Sequence, residues 1–398
     1  MSASGIGKKT VRDLDIANKV VLVRADLNVP LEDGVVTDDT RIREAIPTIR
    51  YLLDNGAAGI VVCSHLGRPK GRDESLSLAP VAGRMANILG RDVLFAEDCV
   101  GREATSAVEA MPRGSVLLLE NLRFHKAEEA NDAEFARELA SLADVYVNDA
   151  FGSAHRAHAS TEGVTRYLPA VAGLLMEKEV LYLSALVANP PKPFAAVIGG
   201  AKVSTKIPAI QHLLPKLDML FVGGGMANTF FVATGVDVRM SLVEAEQVEV
   251  ARRILENAKV RNVEVFLPVD VVAASAFAQD AETALVKPAS VPRGYMILDV
   301  GPETVKLYGR ELRKAKAVIW NGPMGVFEME KFSHGSTGIA REIAGLDATT
   351  VVGGGETAAV VAMTGLGKQF THVSTGGGAS LEMLEGRELP GVAALLDA

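Results

Sequence analysis

Short, almost continuous apolar runs alternate with helical stretches along the chain, and this alternation limits the possible folds more than any other feature of the sequence. Such runs are typical of parallel strands that are covered on both faces. Repeated β–α alternation predicts open, doubly wound parallel sheets, which bind ligands at the carboxyl ends of their strands. The predicted strands are 19–25, 59–63, 92–96, 115–119 and 144–148 in the first half, and 194–198, 219–222, 264–267, 295–299, 317–320, 349–352 and 371–374 in the second.

A proline-rich segment separates the two halves. A predicted helix at 174–188 is followed by NPPKP at 189–193, which stops the helix before the next strand. A chain of 398 residues is long enough for two or three domains. We therefore predict an α/β fold of two doubly wound, Rossmann-like domains, 1–170 and 194–380, joined by a helix and hinge at 171–193.

Composition restricts the class of partner. The formal net charge is −8, whereas nucleic-acid-binding proteins usually carry a basic excess. The N-terminus has no apolar core of signal-peptide length, and no run of about 18 apolar residues predicts a membrane span. Cys63 and Cys99 lie in or near apolar runs without a CxxC spacing, which indicates buried thiols in a reducing compartment.

Basic and polar residues of the first half follow predicted strands or open the next helix. In a doubly wound sheet these positions converge on one edge. Arginine binds carboxylate or phosphate through two parallel hydrogen bonds, so the cluster predicts a site for a substrate with both groups. The rival interpretation of the histidines is a metal site near Asp149, but HExxH and a cysteine partner are absent. The residues are Asp26, Asn28, Arg41, His65, Arg68, Arg123, His155, Arg156 and His158.

The second half predicts a nucleotide site. The segment GGAKVSTKI places Lys202 and Lys206 four residues apart, which predicts that they share one helix face behind a glycine turn. It is not a Walker A loop, because GxxxxGK[ST] does not occur in the chain. Triple glycines at 223–225, 353–355 and 376–378 each lie between a predicted strand and a helix, where free N–H groups suit phosphate.

Two further features refine the nucleotide prediction. The run GGGETA at 353–358 matches a loose dinucleotide fingerprint, but no acidic residue lies between Thr357 and Leu381 to bind a ribose. A dehydrogenase is therefore disfavoured. In IWNGPMGVFE, Glu328 is placed to bind a ribose hydroxyl, although a packed loop is the alternative.

Several motifs occur together in one order along nearly the whole chain. In that order they resemble the phosphoglycerate kinase family. The resemblance implies reversible phosphoryl transfer from 1,3-bisphosphoglycerate to ADP, giving 3-phosphoglycerate and ATP, in a cytoplasmic, Mg²⁺-dependent monomer without nucleic-acid or membrane partners. It also implies that residues 381–398 return to the N-terminal domain. The motifs are RADLNVP, SHLGRP, ENLRFH, VNDAFGSAHRAHAS, GGAKVSTKI, GGGMANTF, DVGPET, WNGPMGVFE and STGGGASLEMLEG.

The resemblance also implies roles for individual residues. The substrate residues are Asp26, Asn28, Arg41, His65, Arg68, Arg123 and Arg156. The nucleotide residues are Lys202, Gly301, Glu328, Gly354, Gly355, Glu356 and Thr357. The residues expected to act on the transferred phosphoryl group are Arg41, Lys202, Lys206, Gly355 and Gly378.

Two positions depart from the family pattern. Glu356 stands where the family usually has Asp, and Thr205 stands where many members have Asp. The implied Mg²⁺ ligand is therefore Glu356, acting through the metal–nucleotide complex, with a side chain that is one methylene longer.

The implied chemistry needs alignment more than proton transfer. A free carboxylate with a pKa near 4 is already ionised at pH 7, so no general base is expected. Domain closure about 170–193 would bring the reactants together and exclude water. The remaining alternatives are another small-molecule carboxylate kinase and a non-enzymatic nucleotide sensor.

Overall fold

The computed structural model describes residues 6–398, so Met1–Gly5 of the first predicted domain lie outside the described residues. Contacts divide the chain into two compact units. Unit 1 runs to Leu181 and includes Glu388–Ala398, and unit 2 is Tyr182–Arg387. The division falls inside the segment that was predicted as helix and hinge. The binding roles that the sequence assigned to each segment remain predictions.

Unit 1 contains a six-stranded sheet in the order β5-β6-β4-β1-β7-β8, and its strands pair in parallel. Its core includes the apolar strand runs predicted from the sequence, together with the buried faces of α1 and α2. The elements are β1 Val20–Arg24, β2 Leu31–Glu32, β3 Val35–Val36, α1 Thr40–Asp54, β4 Gly59–Cys63, α2 Ala79–Leu89, β5 Val93–Ala96, α3 Gly101–Ala110, β6 Ser115–Leu119, α4 Lys126–Glu129, α5 Ala133–Ala140, β7 Val145–Asn148, β8 Ala170–Ala172 and α6 Leu174–Ala188, the last of which crosses into unit 2.

Unit 2 also contains a six-stranded parallel sheet, in the order β11-β10-β9-β15-β16-β17. The strand order reverses between β9 and β15, which is the point where such sheets bind ligands. The elements are β9 Phe194–Ile198, α7 Ile207–Leu213, β10 Met219–Val222, α8 Met226–Ala233, α9 Val248–Val260, β11 Glu264–Phe266, β12 Val271–Ala274, β13 Thr283–Val286, β14 Met296–Val300, α10 Pro302–Leu312, β15 Ala317–Asn321, α11 His334–Ala344, β16 Thr349–Gly353, α12 Gly355–Thr364, β17 His372–Val373 and α13 Gly378–Leu384.

The α/β class and the parallel sheets are confirmed, but one strand has a different place. The strand predicted at 295–299 lies at Met296–Val300 and belongs to a separate three-stranded antiparallel sheet, β13-β12-β14. The sequence prediction did not include β2, β3, β8, β12 or β13. It also did not assign β14 to a second sheet, because an apolar run does not specify which strand will pair with it. Among residues 6–398, no helix has both the length and the apolar character of a membrane span.

The C-terminal residues of unit 1 are tied to its N-terminal residues by backbone hydrogen bonds. The last helix, α14, is Pro390–Ala393. The N–H of Lys9 donates to the carbonyl of Leu396 at 2.8 Å, and the N–H of Gly391 donates to the carbonyl of Ala154 at 2.8 Å. Residues from the two ends of the chain therefore complete one unit.

Candidate substrate and nucleotide sites

The polar residues of unit 1 lie just beyond the carboxyl ends of its central strands. Arg24 ends β1, and His65 follows β4. Arg123 lies in a 3₁₀ turn after β6, and Arg156 follows β7. The charges of Arg24, Arg123 and Arg41 all act on the imidazole of His65, so these groups are close in space. We call Arg24, Arg41, His65, Arg123 and Arg156 the basic cluster.

Arg41 and Asp26 form the first ion pair of the cluster. An Nη1 atom of Arg41 lies 2.7 Å from Oδ2 of Asp26. Burial raises the pKa of Asp26, but the charges of Arg41, His65 and Arg24 and the N–H of Asn28 outweigh it and leave the pKa below its usual value. Asp26 is thus an anion at neutral pH that orients Arg41.

Arg24 sets the tautomer of His65. Nη2 of Arg24 lies 3.1 Å from Nδ1 of His65, and both side chains are buried. Arginine can only donate, so Nδ1 accepts and the proton of the neutral ring is on Nε2. Burial, followed by the charge of Arg24, lowers the pKa of His65 well below its usual value. His65 is therefore a neutral donor at pH 7.

Arg123 is held by backbone and by a carboxylate. Its Nη1 donates to the carbonyl of Gly67 at 2.7 Å, and its Nε lies 3.2 Å from Glu129. The N–H of Gly67 donates to Oδ1 of Asn28 at 2.9 Å, which links two predicted substrate residues through one loop. Burial lowers the pKa of Arg123, and the charges of Arg24 and Arg156 act in the same direction.

A buried network lies behind the cluster. Arg24 Nε donates to the hydroxyl of Ser160 at 2.8 Å, and that hydroxyl donates to Glu128 at 2.5 Å. Burial raises the pKa of Glu128 against the opposing effect of Arg24. Burial and the charges of Arg123, Arg24 and Arg156 lower the pKa of His158 to about 4, so His158 is neutral at pH 7.

The structure brings most of the predicted substrate residues together. Arg156 lies beside His155, with Nε 3.2 Å from Nε2 of the ring. Arg68 follows Gly67 with an exposed side chain. The sequence prediction missed Arg24, which lies at the end of a buried strand. A charged residue that ends an uninterrupted apolar run was the available signal.

Unit 2 contains a cavity of about 430 Å³ next to its glycine loops. Backbone of two glycine turns forms one side, and apolar side chains from the antiparallel sheet form another. Glu328 and Glu356 are its carboxylates. The lining residues are Gly200, Ala201, Gly224, Gly225, Leu242, Phe277, Met296, Ile297, Leu298, Pro323, Gly325, Val326, Glu328 and Glu356.

The two lysines of GGAKVSTKI do not share a helix face, which corrects the sequence prediction. Helix α7 begins only at Ile207, and a turn closed by the N–H of Lys206 on the carbonyl of Val203 precedes it. Lys202 is exposed. Lys206 Nζ donates to Oδ1 of Asn321 at 2.5 Å. Burial lowers the pKa of Lys206, and the carboxylates Glu356 and Glu385 oppose that effect.

Glycine is needed in these loops for different structural reasons. A Cβ on Gly224 would lie 2.7 Å from the backbone N of Gly200, so this triple glycine permits two loops to approach closely. Gly354 has a φ of +92°, and Gly355 begins α12 with open space around it. The buried hydroxyl of Thr357 accepts the N–H of Gly322 at 2.6 Å.

Most of the predicted nucleotide residues lie outside the cavity lining: Glu328 and Glu356 line it, whereas Lys202, Gly301, Gly354, Gly355, Thr357 and Gly378 do not. Gly301 precedes α10, and a Cβ there would lie 2.3 Å from the Asp270 carboxylate. Gly378 begins α13 after Gly377, whose φ is +52°. Their part in nucleotide binding stays a prediction.

Glu356 is suited to a hard cation. It lies in the first turn of α12, is exposed and lines the cavity. Mg²⁺ prefers oxygen ligands and usually takes one or two carboxylates together with phosphates and water. The hydroxyl of Thr205 donates to the carbonyl of Lys202 at 2.9 Å, so this position supplies no carboxylate.

The sequence model described as phosphoglycerate kinase matches residues 11–387. The chain belongs to the phosphoglycerate kinase family. A relative from Pelotomaculum thermopropionicum named phosphoglycerate kinase is 56% identical, covering 98% of this chain and 100% of the relative. A relative from Triticum aestivum named as cytosolic phosphoglycerate kinase is 55% identical, covering 98% of each chain.

Solved structures agree with this family. Phosphoglycerate kinase from Coxiella burnetii superposes with a TM-score of 0.87 at 42% identity, covering 97% of this chain and 98% of that chain. The corresponding enzyme from Pyrococcus horikoshii gives a TM-score of 0.87 at 34% identity, covering 97% and 98% of the two chains. Enzymes of the family transfer a phosphoryl group from 1,3-bisphosphoglycerate to ADP. In the reverse reaction, the carboxyl group of 3-phosphoglycerate accepts the phosphoryl group from ATP.

Proposed function

We propose that the basic cluster of unit 1 binds 3-phosphoglycerate or 1,3-bisphosphoglycerate, and that the cavity of unit 2 binds ADP or ATP with Mg²⁺. The observation that carries the proposal is the convergence of buried and half-buried arginines with neutral histidine donors at one sheet edge. Such donors suit an anion that has both a carboxylate and a phosphate.

The substrate carboxylate needs no base, because it is ionised at neutral pH. The work of unit 1 is therefore to position this carboxylate and to offset its charge. We assign the contact with the reacting carboxylate to Arg41, which Asp26 orients. Asn28, His65, Arg68, Arg123 and Arg156 are assigned to the remaining carboxylate, hydroxyl and phosphate groups of the substrate.

In unit 2 we assign charge neutralisation on the transferred phosphoryl group to Lys202 and Lys206. The free N–H groups at the starts of α12 and α13, at Gly355 and Gly378, would add donors where charge develops. Glu328 is assigned to the ribose, and Gly301, Gly354 and Thr357 to the rest of the nucleotide.

Glu356 is the residue that would hold Mg²⁺ on the nucleotide. When bound, Mg²⁺ would offset the negative charge of the phosphates. The contribution of the chain is one carboxylate at the rim of the cavity, beside the glycine-bounded start of α12.

A coupled assay tests the proposal. We expect ATP consumption with 3-phosphoglycerate and Mg²⁺, and a large loss of rate when Mg²⁺ is chelated. Equal rates with acetate or aspartate would identify a different carboxylate kinase. Nucleotide binding without turnover of any acceptor would support a nucleotide sensor instead.

Three further parts of the proposal need their own measurements. The cytoplasmic location is supported by the cytosolic name of the wheat relative and by two buried free thiols. The monomeric state is tested by sedimentation. Closure about 171–193 is tested by small-angle scattering with and without both substrates.

A further inference from the structure

We infer that Asp98, Cys99 and His125 form a binding site for a borderline-soft divalent cation, represented by Zn²⁺, that is distinct from the proposed Mg²⁺–nucleotide site. Each residue offers one ligand atom, and the three atoms lie within 4.8 Å of one another. Within residues 6–398, it is the one group of three or more His, Cys, Asp or Glu side chains whose ligand atoms lie this close together. We call it the Asp98–Cys99–His125 triad.

The fold builds the triad from two neighbouring strands. Asp98 and Cys99 follow β5, and His125 ends the 3₁₀ turn that follows β6. Strands β5 and β6 are paired in parallel, so both loops leave the same edge of the sheet. Residues that are distant in sequence are thus held beside one another by the sheet and not by a flexible loop.

Hydrogen bonds already orient two of the ligands. Oδ1 of Asp98 lies 2.7 Å from Nε2 of His125 and accepts the N–H of Cys99 at 2.7 Å. The ring of His125 also packs against Phe135, with centroids 5.4 Å apart. A cation would take the place of the hydrogen between the carboxylate and the imidazole, and the two side chains would separate slightly to admit it.

The ligand chemistry selects the class of cation. Thiolate and imidazole favour Zn²⁺ and related d-block cations, whereas Mg²⁺ prefers oxygen ligands. Bond lengths of about 2.0–2.3 Å place the ligand atoms of a tetrahedral Zn²⁺ roughly 3.3–3.7 Å apart. The 2.7 Å between Asp98 Oδ1 and His125 Nε2 must therefore widen by about 0.6 Å, and separations of up to 4.8 Å must contract by about 1 Å. The fourth position remains for water, as in sites with three protein ligands.

Burial, and next the charge of Asp98, raise the pKa of the Cys99 thiol well above its usual value, so the thiolate forms only as the cation binds. Cys99 is fully buried, while the side chains of His125 and Asp98 are 34% and 31% exposed and leave a path from solvent. One thiolate and one carboxylate balance the two positive charges of Zn²⁺. Binding breaks the S–H bond of Cys99 and forms a Zn–S bond, and the thiol proton passes to solvent. The Nε2–H bond of His125 that donates to Asp98 also breaks, so that the Nε2 lone pair binds the cation while the neutral ring carries its proton on Nδ1.

Cobalt substitution tests the cysteine ligand directly. We expect a 1:1 titration of the full-length, nucleotide-free chain with Co²⁺ to produce a thiolate-to-cobalt charge-transfer band, which Cys99→Ala removes. Cys63→Ala is the matched control, because Cys63 is the other buried free thiol, and it retains the band. Surface histidines would bind Co²⁺ without this band. An absent band in the parent chain, or a band that survives in Cys99→Ala, would overturn the site.

A second pair of variants keeps the test independent of the buried thiol. Asp98→Asn and His125→Gln alter half-buried side chains, and circular dichroism checks their folding. We expect Zn²⁺ titrations in Mg²⁺-free buffer to show at least a tenfold loss of affinity in each variant, because each removes a ligand. Zn²⁺ affinity equal to that of the parent chain in both variants would show that the triad is a hydrogen-bonded group and not a metal site.

Discussion

The two units use the same kind of sheet edge in different ways. Unit 1 presents charged side chains at its edge, fixed by buried partners such as Ser160 and Glu128. Unit 2 presents glycine backbone, a lysine held by Asn321 and a largely apolar cavity. A small substrate with two acidic groups requires convergent charges. A nucleotide requires a close approach of backbone to phosphate and an apolar surface for its base.

The difference has a consequence for mutation. A site made of side chains can be dismantled one contact at a time, for example by removing one arginine head group. A site made of backbone can be disturbed only by adding a Cβ or by moving a loop. The two half-sites should therefore respond to different substitutions.

The largest expected effect is on Arg41. We expect Arg41→Ala to lower kcat/KM for 3-phosphoglycerate by roughly 10²–10³-fold, as removal of one transition-state donor typically does. ATP affinity, measured by calorimetry, should stay within about twofold of the parent value, because Arg41 lies in unit 1 and we propose that ATP binds in unit 2. Arg43→Ala is the matched control on the same helix, since Arg43 is exposed and paired with Asp39. Equal losses in both variants would remove Arg41 from its proposed role.

Buried charge also predicts a pH dependence in unit 1. Burial raises the pKa of Asp149 to about 6, and its Oδ1 accepts the N–H groups of Leu175 and Met176 at the start of α6. Because this folded-state pKa lies above the unfolded one, the native state is favoured at low pH. That advantage is lost as pH rises from about 4 through about 6.

Asp149→Asn should flatten this dependence. The amide oxygen can keep both N–H contacts, and the variant avoids burying a charge. Between pH 4 and pH 7.5 we expect the unfolding free energy of the variant to rise by up to about 3 kcal/mol relative to that of the parent. Urea titrations at both pH values measure the difference. The same pH dependence in the parent and the variant would contradict the shifted carboxyl.

Adding a Cβ tests the backbone site of unit 2. Gly354 has a φ of +92°, and a Cβ there would lie 3.3 Å from Nδ2 of Asn321. We expect Gly354→Ala to weaken ATP binding by about tenfold or more, in line with about 1–3 kcal/mol of backbone strain. The affinity for 3-phosphoglycerate should not change.

Gly365→Ala is the control for strain alone. Gly365 ends the same helix with a φ of +68° and has open space around it. We expect a similar loss of thermal stability but unchanged ATP affinity. If both variants weaken ATP binding equally, the effect is general destabilisation and not the loop.

The smallest expected effect concerns the metal. Glu356→Gln removes the carboxylate that we assign to Mg²⁺. We expect it to raise the Mg²⁺ concentration for half-maximal rate by about tenfold, the low end of the usual loss of metal affinity when a residue around a metal is changed. Glu356→Asp keeps the charge on a side chain that is one methylene shorter, so it should change this concentration little. An unchanged Mg²⁺ dependence in Glu356→Gln would remove Glu356 as the ligand.

Much of the fold was predictable because its signals are local. The runs that became β4 and β9 are buried along their whole length, and β6 is buried at every residue after Ser115, as uninterrupted apolar runs indicate. The helix at 174–188 begins and ends as predicted, at Leu174–Ala188. The partner of β14 was not predictable, because strand pairing depends on residues that are far away in sequence.

The candidate site divides in the same way. The sequence by itself determined which residues follow each strand, and parallel pairing is enough to carry Arg123 and Arg156 to one edge. Only the tertiary structure decided that Arg24 directs the proton of His65, that Lys206 meets Asn321 before its helix begins, and that Asp98 and Cys99 face His125. The physical reason is that strand periodicity and apolarity belong to short segments, whereas burial, tautomers and ligand geometry arise from contacts between segments.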